Sequence, residues 1–136
     1  MRILLDTNAY SAWKRGDQRV VDLIRGSERV YLPVVVAGEL LAGFRGGRRF
    51  ERNRRELDAF LSTPFVFLAP VGLDTADRFG RIVAALRKKG TPIPTNDVWI
   101  AASAMETGAT LVSFDGHFAQ VDGLAWIDPA SLDAPG

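Results

Sequence analysis

The chain has 136 residues, 47% of them hydrophobic and 24% charged, and a net charge of +1. That balance fills a core and solvates a surface, which excludes disordered and low-complexity classes. With no cysteine and a single histidine, it also excludes disulfides, thiolate chemistry, iron–sulfur clusters and zinc sites built on sulfur or several imidazoles.

Arg2 to Leu5 reads as a buried strand that ends in the polar turn Asp6-Thr7-Asn8. Thr7 or Asn8 is expected to cap a short helix through Trp13, and Asp17 to cap a second one carrying Val20, Val21 and Ile24, which Gly26 and Ser27 stop. Val30 to Leu32 is the second strand. Pro33 opens the next helix, with Val36, Leu40 and Phe44 in steps of four, although a strand over 33–36 stays open. A helix over Glu51 to Leu61 packs through Phe50, Leu57, Phe60 and Leu61, and Phe65 to Leu68 is the third strand.

From Asp74, the spacing of Ala76, Phe79, Ile82, Val83 and Leu86 predicts a long helix stopped by Lys88-Lys89-Gly90. The loop 91–95 leads to Asn96 and Asp97, which open an alanine-rich helix ending at Gly108. Leu111 to Phe114 is the fourth strand, closed by Asp115, and Leu124 to Ile127 the fifth, with an unstructured tail over 133–136. Strands separated by amphipathic helices, with no hairpin-length turn, predict one three-layer α/β/α domain with a mostly parallel sheet. No stretch has the length of a membrane span, and Asp6 cuts the N-terminal apolar run too short for a signal peptide, so a soluble cytoplasmic domain is expected.

The small net charge hides an asymmetry: residues 1–68 carry +4 and residues 69–136 carry −3. Most of the excess lies between Arg45 and Arg55, where Arg45, Arg48, Arg49, Arg52, Arg54 and Arg55 accompany a single acid, Glu51. Such a run suits a solvated helix face. Its arginine forks equally suit phosphates or the acidic groups of a protein partner.

In sheets of this kind the ligand crevice lies beyond the C-terminal ends of the strands. Asp6 follows the first strand and Asp115 the fourth, while Asp97 opens a helix that reaches the same edge if loop 91–95 returns it there. Glu39 lies two turns into the helix after the second strand, an acid among valines, leucines and alanines. Each has a structural reading, as a helix cap, an Asx turn or an ion pair with an arginine. Taken together, four acids at one crevice repel one another unless a cation neutralises them, and Mg2+ or Mn2+ needs neither sulfur nor imidazole. Thr7, Asn8, Asn96 and Ser113 are neutral groups able to orient the carboxylates or their waters. His117, with no evident acid–base partner, reads as a loop or packing histidine. The glycines match neither the dinucleotide-binding fingerprint nor the phosphate-binding G-x-x-x-x-G-K-[ST] loop.

Leu4-Leu5-Asp6-Thr7-Asn8, Glu39-Leu40, the block Thr95 to Ala102 and the block Leu111 to Phe118, in that order, resemble a PIN domain, and the chain looks like a VapC-type toxin of a toxin–antitoxin pair. The likeness implies a five-stranded sheet of order 3-2-1-4-5 in a single PIN-like domain over 1–132. It implies a metal-dependent ribonuclease with its acidic positions on Asp6, Glu39, Asp97 and Asp115. It further implies a homodimer and a small cognate VapB-type antitoxin, with an RNA of unassigned class as substrate. The alternatives are a PIN-type nuclease of RNA processing and a catalytically silent RNA-binding scaffold. A haloacid-dehalogenase-like phosphatase would need an acid where Asn8 stands, and a receiver-like domain would need acids ahead of Asp6.

Overall fold

The computed structural model describes residues 1–132; the tail expected over 133–136 lies outside the described residues. Five strands, β1 (Arg2–Leu5), β2 (Arg29–Pro33), β3 (Val66–Ala69), β4 (Thr110–Val112) and β5 (Trp126–Ile127), form one sheet in the order β3-β2-β1-β4-β5. Every pairing is parallel. The helices are α1 (Thr7–Lys14), α2 (Gln18–Arg25), α3 (Val34–Arg45), α4 (Phe50–Leu61), α5 (Leu73–Lys89) and α6 (Thr95–Thr107). Short 3-10 turns cover Gly116–Gln120 and Pro129–Leu132.

The central strand β1 is buried on both faces: Ile3, Leu4 and Leu5 are inaccessible to solvent, as are Val30, Leu32, Leu111 and Val112 beside them. A strand covered on both sides cannot alternate apolar with polar residues, which explains these continuous apolar runs. The helices dock through the expected stripes. Val36 and Leu40 are buried on α3, Leu57 and Phe60 on α4, Ile82 and Leu86 on α5. Tyr10, Trp13 and Phe60 join α1 to α4 with ring centroids 4.7–5.6 Å apart. On α5 and α6, Phe79 stacks on Trp99 at 4.0 Å, and the buried Thr75 hydroxyl donates to the Glu106 carboxylate. Both helices end on left-handed glycines, Gly90 at φ +72° and Gly108 at φ +66°, a conformation that disfavours any residue with a Cβ.

Several boundaries differ from the sequence expectation. Asp6, rather than Thr7 or Asn8, caps α1: its backbone is extended while Thr7 is already helical, and its carboxylate accepts from Ala9 N–H at 2.9 Å. Pro33 ends β2, so the helix starts at Val34 and the strand alternative over 33–36 is confined to its first residue. The fourth strand stops at Val112 instead of Phe114, because Ser113 Oγ accepts from Asp115 N–H at 3.0 Å and turns the chain out of the sheet. The fifth strand keeps only Trp126 and Ile127. Loop 90–94 delivers α6 to the edge shared by the ends of β1 and β4. A helix that leads into a parallel strand must begin at that strand's C-terminal edge, and this carries Asp97, in the first turn of α6, to the crevice. Among the described residues, no helix is long and apolar enough to cross a membrane.

Candidate metal and nucleic-acid site

Asp6 is the pivot of the site. Its N–H extends the β1–β4 ladder to Val112 O at 3.4 Å, its carbonyl accepts from Tyr10 N–H, and its carboxylate caps α1. The residue is 5% exposed, and Ser113, wholly buried at the end of β4, hydrogen-bonds its carboxylate. Since the Ser113 oxygen already accepts from Asp115 N–H, its hydroxyl proton is free to point at Asp6. One buried serine thus ties the acid after β1 to the acid after β4.

The other acids converge on this point. Asp97 Oδ2 lies 2.7 Å from His117 Nε2, and Asp115 Oδ1 lies 2.8 Å from His117 Nδ1. Asp115 also caps the 3-10 turn, accepting from His117 N–H at 3.2 Å. Glu39, half-buried on α3, accepts from the Thr7 hydroxyl at 2.9 Å, which fastens the second crossover to the start of α1. That contact accommodates an acid in this apolar helix, and among the described residues Glu39 pairs with no arginine.

The electrostatics record the crowding. Burial pushes the Asp6 carboxyl above its ordinary value, and the charges of Asp97 and Asp115 push it the same way, against the hydrogen bonds from Ser113 and Ala9. Burial likewise raises Asp97, with Asp115 and Glu39 adding to the rise and His117 opposing it. Carboxylates that raise one another's pKa are held together against their own repulsion, and a hard divalent cation relieves it. Asp97, Asp115 and His117 each offer a donor atom within 4.8 Å of the others. With Asp6 and Glu39 facing the same edge, the donor set fits an oxygen-rich site for a small divalent ion.

The neutral groups and the histidine are placed unequally about these acids. Asn8 and Asn96 are exposed and, among the described residues, make no side-chain hydrogen bond to any of the four acids. Thr7 and Ser113 do contact them, Glu39 and Asp6 respectively, because their side chains face inward from the first residue of α1 and the end of β4. His117 is no packing residue: it stands between two of the acids. The D-x-H spacing after β4 is the signal that placed it there, since a turn capped by Asp115 returns the next-but-one side chain to its cap.

The arginine run divides. Arg45 lies over the Phe50 ring at 4.0 Å, Arg52 pairs with Glu56 at 3.3 Å and Arg54 with Asp58 at 3.1 Å. Lys14 also holds Glu56, bridging α1 to α4. Among the described residues, Arg48, Arg49 and Arg55 are exposed and pair with no acid.

The sequence profile of the PIN domain family matches residues 3–124. Ribonuclease VapC5 of Mycobacterium tuberculosis is 30% identical over 125 residues, covering 92% of this chain and 91% of that protein. Ribonuclease VapC1 of Haemophilus influenzae is 26% identical over 133 residues, covering 94% of this chain and 98% of its own length. Among solved structures, VapBC2 of Rickettsia felis, bound to a DNA fragment from its promoter, superposes with a TM-score of 0.81 at 25% identity, over 93% of this chain and 98% of the matched one.

Proposed function

The chain belongs to the PIN domain family, and from that premise we propose that it is a metal-dependent endoribonuclease, the toxin of a toxin–antitoxin pair, acting in the cytoplasm on RNA phosphodiester bonds. The observation that carries this reading is the meeting of Asp6, Glu39, Asp97 and Asp115, from four separate segments, at the C-terminal edge of the sheet. Residues 1–132 act as one catalytic unit.

Asp6, Asp97 and Asp115 hold Mg2+ or Mn2+, with Glu39 flanking them. A divalent cation bound there supplies Lewis-acid stabilisation of a phosphoryl oxygen and a water acidic enough to attack it. The chain's own groups prepare the place. Asp6 is immobilised by its cap to α1, Ser113 fixes Asp6 and Asp115 relative to each other, and Thr7 orients Glu39. Asp115 is more exposed than Asp97, with side-chain exposures of 44% and 21%, so RNA approaches from the Asp115 side and Asp6 forms the floor. Hydrolysis on this reading leaves 5′-phosphate ends. Arg48, Arg49 and Arg55, free of acidic partners, contact the RNA backbone and set affinity more than sequence choice.

The relatives named as VapC ribonucleases, and the VapBC2 complex on its promoter, support a VapB-type antitoxin as the partner. Sequencing of RNA 5′ ends after brief expression tests the reading. Wild type should create new 5′-phosphate ends and arrest growth, Asp6→Asn should do neither, and co-expression of the adjacent small protein should restore growth. Identical 5′ ends from wild type and Asp6→Asn would refute it.

A further inference from the structure

We propose that His117 ligates the divalent cation through an imidazole nitrogen, making the centre a mixed nitrogen–oxygen site; this rests on the metal-dependent reading above. The ring is held in place from several sides. Its backbone N–H is bonded to the Asp115 cap, and its neighbour Phe118, 1% exposed, anchors the 3-10 turn in the core with the two ring centroids 4.9 Å apart. A fixed ring with both nitrogens aimed at carboxylates is a built feature, unlike a histidine on an open loop.

Each ring nitrogen lies against a carboxylate oxygen. Nε2 is buried and lies 2.7 Å from Asp97 Oδ2, yet no hydrogen bond is aligned between them. Two donors to one cation sit this way. With metal–ligand distances of about 2.1 Å, neighbouring ligand atoms are separated by roughly 3 Å and opposite ones by roughly 4.2 Å. The donor atoms of Asp97, Asp115 and His117 all lie within 4.8 Å of one another. Nδ1 lies 2.8 Å from Asp115 Oδ1, the side on which metal-bound imidazoles commonly give their second nitrogen's proton to a carboxylate, fixing tautomer and orientation. Nε2, buried beside Asp97, is the ligating atom, and Asp115 Oδ1 orients the ring.

An imidazole donor changes which ion the site prefers. Carboxylate and water suit Mg2+ and Mn2+ alike, whereas nitrogen favours the later first-row ions, so His117 raises affinity for Mn2+ more than for Mg2+.

His117 is the only histidine in the chain, so in the untagged protein 15N-histidine labels this one residue. With substoichiometric Mn2+, pulsed electron paramagnetic resonance of the wild type should show a directly coordinated 14N coupling that converts to the 15N pattern on labelling. His117→Gln should lose that coupling. In calorimetric titrations it should bind Mn2+ about 10-fold more weakly, with a smaller loss for Mg2+. Mn2+ bound by wild type without a histidine coupling would overturn the ligand assignment and leave the nuclease reading standing, as would an unchanged Mn2+ to Mg2+ affinity ratio in the variant. Failure of the folded wild type to bind any divalent cation would overturn both. The labelled wild type carries the test alone if His117→Gln does not fold.

Discussion

Asp6 and Asp17 are the same residue in the same local role, each capping the helix that follows it with its own carboxylate. Their surroundings are opposite. Asp17 receives the Arg19 guanidinium at 2.7 and 3.0 Å and the Arg19 N–H at 3.1 Å, which hold its carboxyl down at about 2. Asp6 is buried, pairs with no cation among the described residues, and is pushed up by burial and by two neighbouring acids. Capping needs one acceptor oxygen, and either aspartate supplies it. The negative charge left without a partner at Asp6 serves no local need of α1, and that surplus distinguishes a site from a cap.

The largest expected contrast is in turnover. Asp6→Asn, Asp97→Asn and Asp115→Asn should each lower RNA cleavage by at least about 100-fold while the proteins stay folded, whereas Asp17→Asn should stay within about two-fold of wild type. Initial rates on one RNA substrate, with circular dichroism to verify folding, measure this. An equal loss at Asp17 would erase the comparison.

Cation binding should separate the pair next. At a Mn2+ concentration near 100 times its Kd, wild type and Asp17→Asn should gain about 2.7 kcal/mol of stability, and Asp6→Asn much less, read from thermal or urea unfolding. The same unfolding curves across pH test the electrostatics. Asp6 has a raised folded-state pKa, so its contribution is fully present below the ordinary value of 3.8 and is lost as pH rises through the raised one. Asp17 is depressed, so its contribution is present above 3.8 and is lost as pH falls toward about 2. At pH 7 without metal, Asp6→Asn should therefore be at least as stable as wild type, while Asp17→Ala should cost about 1 kcal/mol.

The smallest effect belongs to the arginines. Replacing Arg48, Arg49 and Arg55 together by glutamine should weaken RNA binding broadly and make the slope of log affinity against log salt shallower, by up to roughly 0.7 for each phosphate no longer neutralised. Arg52→Gln and Arg54→Gln, whose partners lie four residues away on the same helix, should change the slope little. An unchanged slope in the triple variant, with weaker antitoxin binding, would reassign those arginines to the protein partner.

How much of this was legible in the sequence follows from what each signal depends on. The acids at the strand ends could be read because a parallel topology sends β1 and β4 to one edge, and the apolar runs of Ile3–Leu5 and Leu111–Val112 give that topology away. Which residue caps α1 could not be read, since Asp6, Thr7 and Asn8 all have capping side chains and only the extended backbone at Asp6 decides among them. Which of Thr7, Asn8, Asn96 and Ser113 touch the acids could not be read: whether a polar side chain faces the crevice depends on helix phase at its first turn, where periodicity is weakest. His117 could not be tied to both acids because one partner, Asp97, lies far upstream in the first turn of α6. Composition could not divide the arginines, half of which are engaged by Phe50, Glu56 and Asp58.

The central claim is that the acids at the sheet's C-terminal edge form a metal-dependent nuclease centre. Its most direct test is cleavage of RNA by the purified protein with Mn2+ and with chelator, run beside Asp6→Asn and Asp17→Asn. Wild type and Asp17→Asn should release 5′-phosphate products only when Mn2+ is present, and Asp6→Asn none above background. Cleavage that survives chelation, or that persists at the wild-type rate in Asp6→Asn, would contradict it.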